Sequence, residues 1–325
     1  MSSESRNRYL LKNTLIFTLG NIGSRMISFF LIPLYTNVLT TSQYGTVDLI
    51  TTISTVAGPM LTLNIAESVM RFGLDKDADK EKNTQCGSIV LLIAMIIGLV
   101  LIPICRCITE VSDYAMYVYF YVISLSASQL FLCDLRGKEL LLKYSLGNIL
   151  QTLMIAILNI TFLLVFKMET GGYLLAYIIA NFIVAIYAII AGKGYKAFSF
   201  HNIDRCKLKE MIRYSVVLIP NTFMWWIMNS SDRVMVTYMI GAAANGIYAV
   251  SYKLPTLVST LTGIFNQAWS YSAIREEGTR DETEYNNKMF KTLSAIAFMM
   301  GIGLLLLTKP FLRVYVADSY YDAWK

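Results

Sequence analysis

The chain has 325 residues, of which 55% are hydrophobic and 15% charged, with a formal net charge of +6 and a mean hydropathy of +0.52. Soluble domains carry about 25% charged residues, so a chain this apolar is solvated mainly by lipid, which excludes the soluble enzyme classes. Cys86, Cys105, Cys107, Cys133 and Cys206 are scattered without metal-site spacing, and His201 is the single histidine, in a polar loop. No metal, cofactor or histidine-based catalysis is therefore expected.

In chain order, a polar, basic start (Arg6, Arg8, Lys12) leads into an apolar stretch. That stretch is longer than the ~7–15-residue core of a signal peptide and reads as the first membrane helix. With about 20 apolar residues needed per span, helices are predicted over 13–38, 45–70, 85–104, 114–133, 144–166, 171–192, 212–240, 247–272 and 288–308. The fold class is all-α, a polytopic membrane protein of about nine transmembrane helices.

The connections carry an independent signal. Arg71 to Lys82, Arg136 to Lys143, Lys193 to Arg213 and Arg275 to Lys291 are basic, as is the N-terminus, whereas the alternate connections are short and nearly uncharged. Lys and Arg gather on the cytoplasmic side, so the N-terminus is expected to be cytoplasmic. Topology accounts for the net charge without a nucleic-acid partner.

The long connection from Gly192 to Glu210 suggests two bundles, 1–200 with about six helices and 201–325 with about three. Thr40 to Gly45 after the first helix matches Gly241 to Gly246 after the seventh, which also pairs Lys12 with Arg213. Two related bundles with the second incomplete are therefore expected, the chain ending short by about three helices. Chance similarity between apolar helices is the competing explanation.

Ionisable residues inside a membrane are costly and mark functional positions. Here they are Arg25, Asp48, Glu67, Asp232, Arg233 and Lys253, all on the first two helices of each expected bundle. Polar side chains at helical spacing extend them into stripes: Asn21, Ser24, Arg25 and Ser28; Asp48, Thr52, Thr55, Pro59 and Thr62; Asn221, Trp225 and Asn229 before Asp232 and Arg233; Lys253, Thr256, Thr260 and Gln267. Four stripes imply a hydrated central cavity; ordinary interhelical hydrogen bonding is the alternative. Asp48, Glu67 and Lys253 could instead snorkel to the interface, and Glu67 is spaced to pair with Arg71. Pro59, Pro220 and Pro255 mark possible kinks. Trp225 and Trp226 suit either sugar stacking or the membrane interface; Trp269 suits an interfacial anchor.

Several runs together carry a family likeness: Asn13 to Tyr44-Gly45, Leu135-Arg136-Gly137-Lys138, Arg213 to Asn221, Asn229-Ser230-Ser231-Asp232-Arg233, Gly246-Ile247-Tyr248 and Phe265 to Ser270. In these the chain resembles the Wzx-type polysaccharide or O-antigen flippases of the multidrug/oligosaccharidyl-lipid/polysaccharide exporter superfamily. Members usually have twelve to fourteen helices, so the resemblance implies a chain that is C-terminally incomplete beside them. The resemblance implies alternating access and an undecaprenyl-pyrophosphate-linked oligosaccharide as substrate, for surface polysaccharide such as lipopolysaccharide. A monomer is the default expectation, with membrane lipids and polymerase or glycosyltransferase machinery as expected partners. A basic cavity would suit the pyrophosphate. Arg25, Arg233, Lys253, Asn21, Asn229 and Gln267 are the expected substrate-binding residues, with Asp48 and Asp232 coupling an ion. The alternatives are a cation-coupled small-molecule exporter and a membrane glycosyltransferase or polymerase. The short outer loops lack catalytic groups, so no enzyme is expected.

Overall fold

The computed structural model of the protein describes residues 27–75, 78–106, 111–198, 203–256, 258–259, 262–263 and 282–325. These residues are helical, with no strand among them. The helices are α1 (Ile27–Val38), α2 (Thr41–Leu61), α3 (Ile65–Gly73), α4 (Lys80–Cys105), α5 (Ala115–Gly137), α6 (Leu141–Ile160), α7 (Glu169–Ala191), α8 (Arg205–Met239), α9 (Ala242–Ser251) and α10 (Glu282–Tyr315).

By length and composition, 5 of these are apolar enough to cross a membrane, or 6 if α2 and α3 form one bent span. The expected nine are thus not matched one for one among the described residues. The helix α8 has 35 residues, but its basic first turns and its polar stripe keep it off the apolar list. The helix α9 stops at Ser251, four residues before Pro255, whose missing N–H leaves the Ser251 carbonyl without its helical donor. By contrast α8 continues past Pro220, and α10 runs through Pro310 to Tyr315, well beyond the expected end at 308.

The predicted second helix is α2 and α3, bent by 60° at Leu61 to Ile65. Pro59 removes a backbone donor there, and Leu63 and Asn64 adopt φ of 51° and 55°. Asparagine tolerates this left-handed region better than most residues. The α2 start is set by a capping box: Thr40 Oγ1 accepts from Gln43 N at 3.2 Å, and Gln43 Oε1 accepts from Thr40 N at 2.9 Å.

Two buried apolar clusters stabilise the bundle. One holds Ile32, Tyr35, Leu49, Leu174, Val250 and Tyr320. The other holds Ile65, Val69, Leu130, Leu135, Val184 and Met211. The basic connections meet at the end nearer the second cluster. There Lys138 Nζ donates to Asp134 Oδ2 at 2.6 Å and to the Gly192 carbonyl at 2.9 Å, and Lys143 Nζ donates to the Ala191 carbonyl at 2.8 Å. Asp134 also accepts from Thr84 Oγ1 at 2.5 Å. The expected Glu67–Arg71 pair does not form, because Arg71 Nη1 turns outward to Asp75 Oδ1 at 2.6 Å.

At the opposite end, Tyr320 Oη donates to the Leu39 carbonyl at 3.0 Å and Gln43 Nε2 donates to Glu169 Oε2 at 2.6 Å. There α2 packs along α9 so closely that Gly45 and Gly246 face each other. A Cβ on Gly45 would overlap the Ala242 carbonyl, and a Cβ on Gly246 would overlap the Thr41 carbonyl. The contact is reciprocal, since each glycine meets the carbonyl four residues before the other, as in a two-fold-related interface.

Candidate functional site

The close approach of α2 and α9 sets what lies one turn further along each. Asp48 is buried on α2, facing α8 and α9. A lone buried carboxylate in hydrocarbon is strongly unfavourable, and here it is paired. Arg233 Nη1 of α8 donates to Asp48 Oδ1 at 2.9 Å, with side chains 15% and 6% exposed. Asn245 Nδ2 of α9 donates to the Gly45 carbonyl at 2.9 Å and to Asp48 Oδ2 at 3.4 Å.

The network continues outward. The Arg233 guanidinium lies 5.1 Å from the centre of the Tyr252 ring, a cation–π separation. Asp232 accepts from Tyr248 Oη and, through Oδ1, from the Arg233 backbone N–H at 2.9 Å. Lys253, half-buried, interacts electrostatically with Asp48 and Arg233. Among the described residues the network thus sets two acids, Asp48 and Asp232, beside two bases, Arg233 and Lys253. Among the described residues, Arg233 Nε and Asn245 Oδ1 are buried and have no hydrogen-bond partner.

Of the residues singled out from sequence, Asp48, Asp232, Arg233 and Lys253 come together. Asn229 does not join them, since it is exposed and its Nδ2 donates to the Trp225 carbonyl of its own helix at 2.7 Å. Trp226 turns inward, its Nε1 donating to the Thr52 carbonyl at 2.9 Å, whereas Trp225 is exposed. Asn21, Arg25, Gln267 and Trp269 lie outside the described residues. Sequence reasoning missed Asn245, Tyr248 and Tyr252 as site members. The available signal was Asn245 beside Gly246, the glycine that aligns with Gly45.

The described residues thus form a bundle of apolar helices with a buried ion-pair network at a helix crossing. The chain belongs to the family described as "Polysaccharide biosynthesis protein", whose model matches residues 10–271. It is also similar in fold to a solved structure described as the outward-facing conformation of a multidrug resistance MATE family transporter of the MOP superfamily, with a TM-score of 0.58 and 14% identity, covering 96% of this chain and 73% of that one. No curated relative matches the chain. The family ties the chain to polysaccharide biosynthesis, its apolar helices make it a multi-pass membrane protein, and the structural likeness shows a shared fold.

Proposed function

We propose that the chain moves an undecaprenyl-pyrophosphate-linked oligosaccharide across a bacterial cytoplasmic membrane by alternating access, with its N-terminus cytoplasmic. The observation that carries this reading is the Asp48–Arg233 pair between α2 and the α8–α9 hairpin. It is a cation held in reserve by an acid at a helix crossing.

In this mechanism the pyrophosphate competes with Asp48 for Arg233. Arginine binds phosphate oxygens through paired N–H donors, and Arg233 Nε has no hydrogen-bond partner among the described residues. When Asp48 takes up a proton or a cation, its hold on Arg233 weakens and the guanidinium turns to the head group. Lys253 adds a second positive charge. Arg25, Asn21, Asn229 and Gln267 complete the substrate path, and Asp232 tunes the coupling through Tyr248. No covalent bond is made or broken, so the chain is a carrier and not an enzyme. It works as a monomer supplying the polymerase and glycosyltransferase machinery of surface polysaccharides such as O-antigen.

The test is complementation of a bacterial strain lacking its own O-unit flippase. Wild type restores surface polysaccharide, while Arg25→Ala and Arg233→Ala do not, at equal membrane levels. Rescue by both variants would remove these arginines from the mechanism.

A further inference from the structure

A second polar region lies along α8 from the charged network. Asn221 is twelve residues before Arg233 on this helix, a separation of about 18 Å at 1.5 Å per residue. Here α3, α5, α6 and α8 enclose a cavity of about 730 Å³, at the end where the basic connections meet. Ligand sites span roughly 300–1,000 Å³.

Beside the hydroxyls of Ser128, Thr222, Tyr144 and Tyr214, five polar side chains on the lining are of one chemical kind. Asn64, Gln129, Asn148, Gln151 and Asn221 are all carboxamides. Two are committed within the protein: Asn64 Nδ2 donates to Thr222 Oγ1 at 3.2 Å, and Gln151 Nε2 donates to Asn181 Oδ1 at 2.6 Å. The side chains of Gln129, Asn148 and Asn221 have no hydrogen bond to a described residue. Gln129 is exposed while its neighbours Ser128 and Leu130 are buried. A free amide against hydrocarbon is unfavourable, so these three belong to a space that holds water or a polar ligand.

The ligand class follows from the lining. Each amide offers both a donor and an acceptor, the pattern presented by sugar hydroxyl and N-acetyl groups. Tyr144 and Tyr214 add aromatic faces, which combine an apolar surface with a polar tip. Among the described residues, Glu67 is the single charged side chain on the lining. It has no ion pair among the described residues, Arg71 being held by Asp75. A carboxylate there repels a uronic acid and is indifferent to a neutral sugar.

Resting on the flippase reading, we propose that this cavity seats uncharged sugar residues of the cargo glycan, with the three free amides as its hydrogen-bonding groups and Glu67 as the gate against acidic sugars. The charged network handles the pyrophosphate and the amide cavity handles the sugar.

The test uses the full chain in nanodiscs and two soluble probes, triacetylchitotriose and trigalacturonic acid, with binding read by saturation-transfer NMR. Wild type is expected to bind the neutral trisaccharide and not the acidic one. Gln129→Leu with Asn221→Leu should weaken neutral binding about tenfold, the loss expected from two hydrogen bonds, with the melting temperature compared to confirm folding. Glu67→Gln, which keeps size and shape, should admit the acidic trisaccharide and carries the test if the double variant does not fold. Equal binding of both probes by wild type, or unchanged selectivity in Glu67→Gln, overturns the proposal. So does competition by a lipophilic cation that depends on Glu67, which would instead mark a small-molecule exporter. Soluble sugars need no translocation. Sugar binding without translocation of a lipid-linked substrate therefore sinks the flippase reading alone, and translocation with unchanged sugar binding in the double variant sinks the cavity assignment alone.

Discussion

Gly45 of α2 and Gly246 of α9 lie back to back, each leaving room for the backbone carbonyl of the other's helix. No other residue type allows that approach, and it places Asp48 within reach of Arg233 and Asn245. Gly45→Ala and Gly246→Ala are each expected to destabilise the protein by about 1–3 kcal/mol, the usual cost of overpacking. Gly301→Ala is the control, since a Cβ there meets nothing within 4 Å. Melting temperatures in detergent give the comparison; equal melting of Gly45→Ala and wild type would show that the contact is not held.

The Asp48–Arg233 pair should behave as a coupled unit. Removing one member strands the other charge in a low-dielectric site, at about 3–5 kcal/mol. Asp48→Leu and Arg233→Met are each expected to be strongly destabilising, and together much less so than their sum. A double-mutant cycle on chemical unfolding reads this coupling, and strict additivity would contradict it.

Lys138 ties the end of α5 to the end of α7 through Asp134 and the Gly192 carbonyl. Lys138→Met leaves the buried Asp134 with Thr84 alone and is expected to cost about 3 kcal/mol. Lys143→Met, at an exposed position, is expected to cost about 1 kcal/mol or less. Unfolding in urea ranks the two, and the reverse order would refute the assignment.

Cys206 is exposed at the start of α8, at the basic end of the bundle. A variant keeping Cys206 as its single cysteine should react with a membrane-impermeant maleimide in inside-out vesicles and not in intact cells. Labelling of intact cells would invert the topology.

Much of this was legible in the residues. Blocks such as Leu174 to Ala191 read directly as helices because lipid demands uninterrupted apolar length. Gly45 and Gly246 align because the same turn and helix start recur. Asp48 and Arg233 stood out individually because intramembrane charge is costly. Their pairing did not, since two residues 185 positions apart are joined only by how α2 crosses α8. The same limit hid the amide cavity. Asn148 and Gln151 look like isolated polar residues in an apolar helix until α3, α5 and α8 bring three more carboxamides beside them. The bend at Asn64 was marked by Pro59, but its 60° angle depends on the left-handed backbone of Leu63 and Asn64.

We propose that a lipid-linked glycan crosses the bilayer through the region of Arg233 and Lys253. The most direct measurement is translocation of a fluorescent polyprenyl-pyrophosphate oligosaccharide in proteoliposomes, read by quenching with a membrane-impermeant reductant. Wild type is expected to expose the inner-leaflet label far faster than protein-free vesicles. Arg233→Ala with Lys253→Ala, folded and reconstituted at equal density, is expected to return the rate to that of protein-free vesicles. A wild-type rate no faster than empty vesicles would contradict the account.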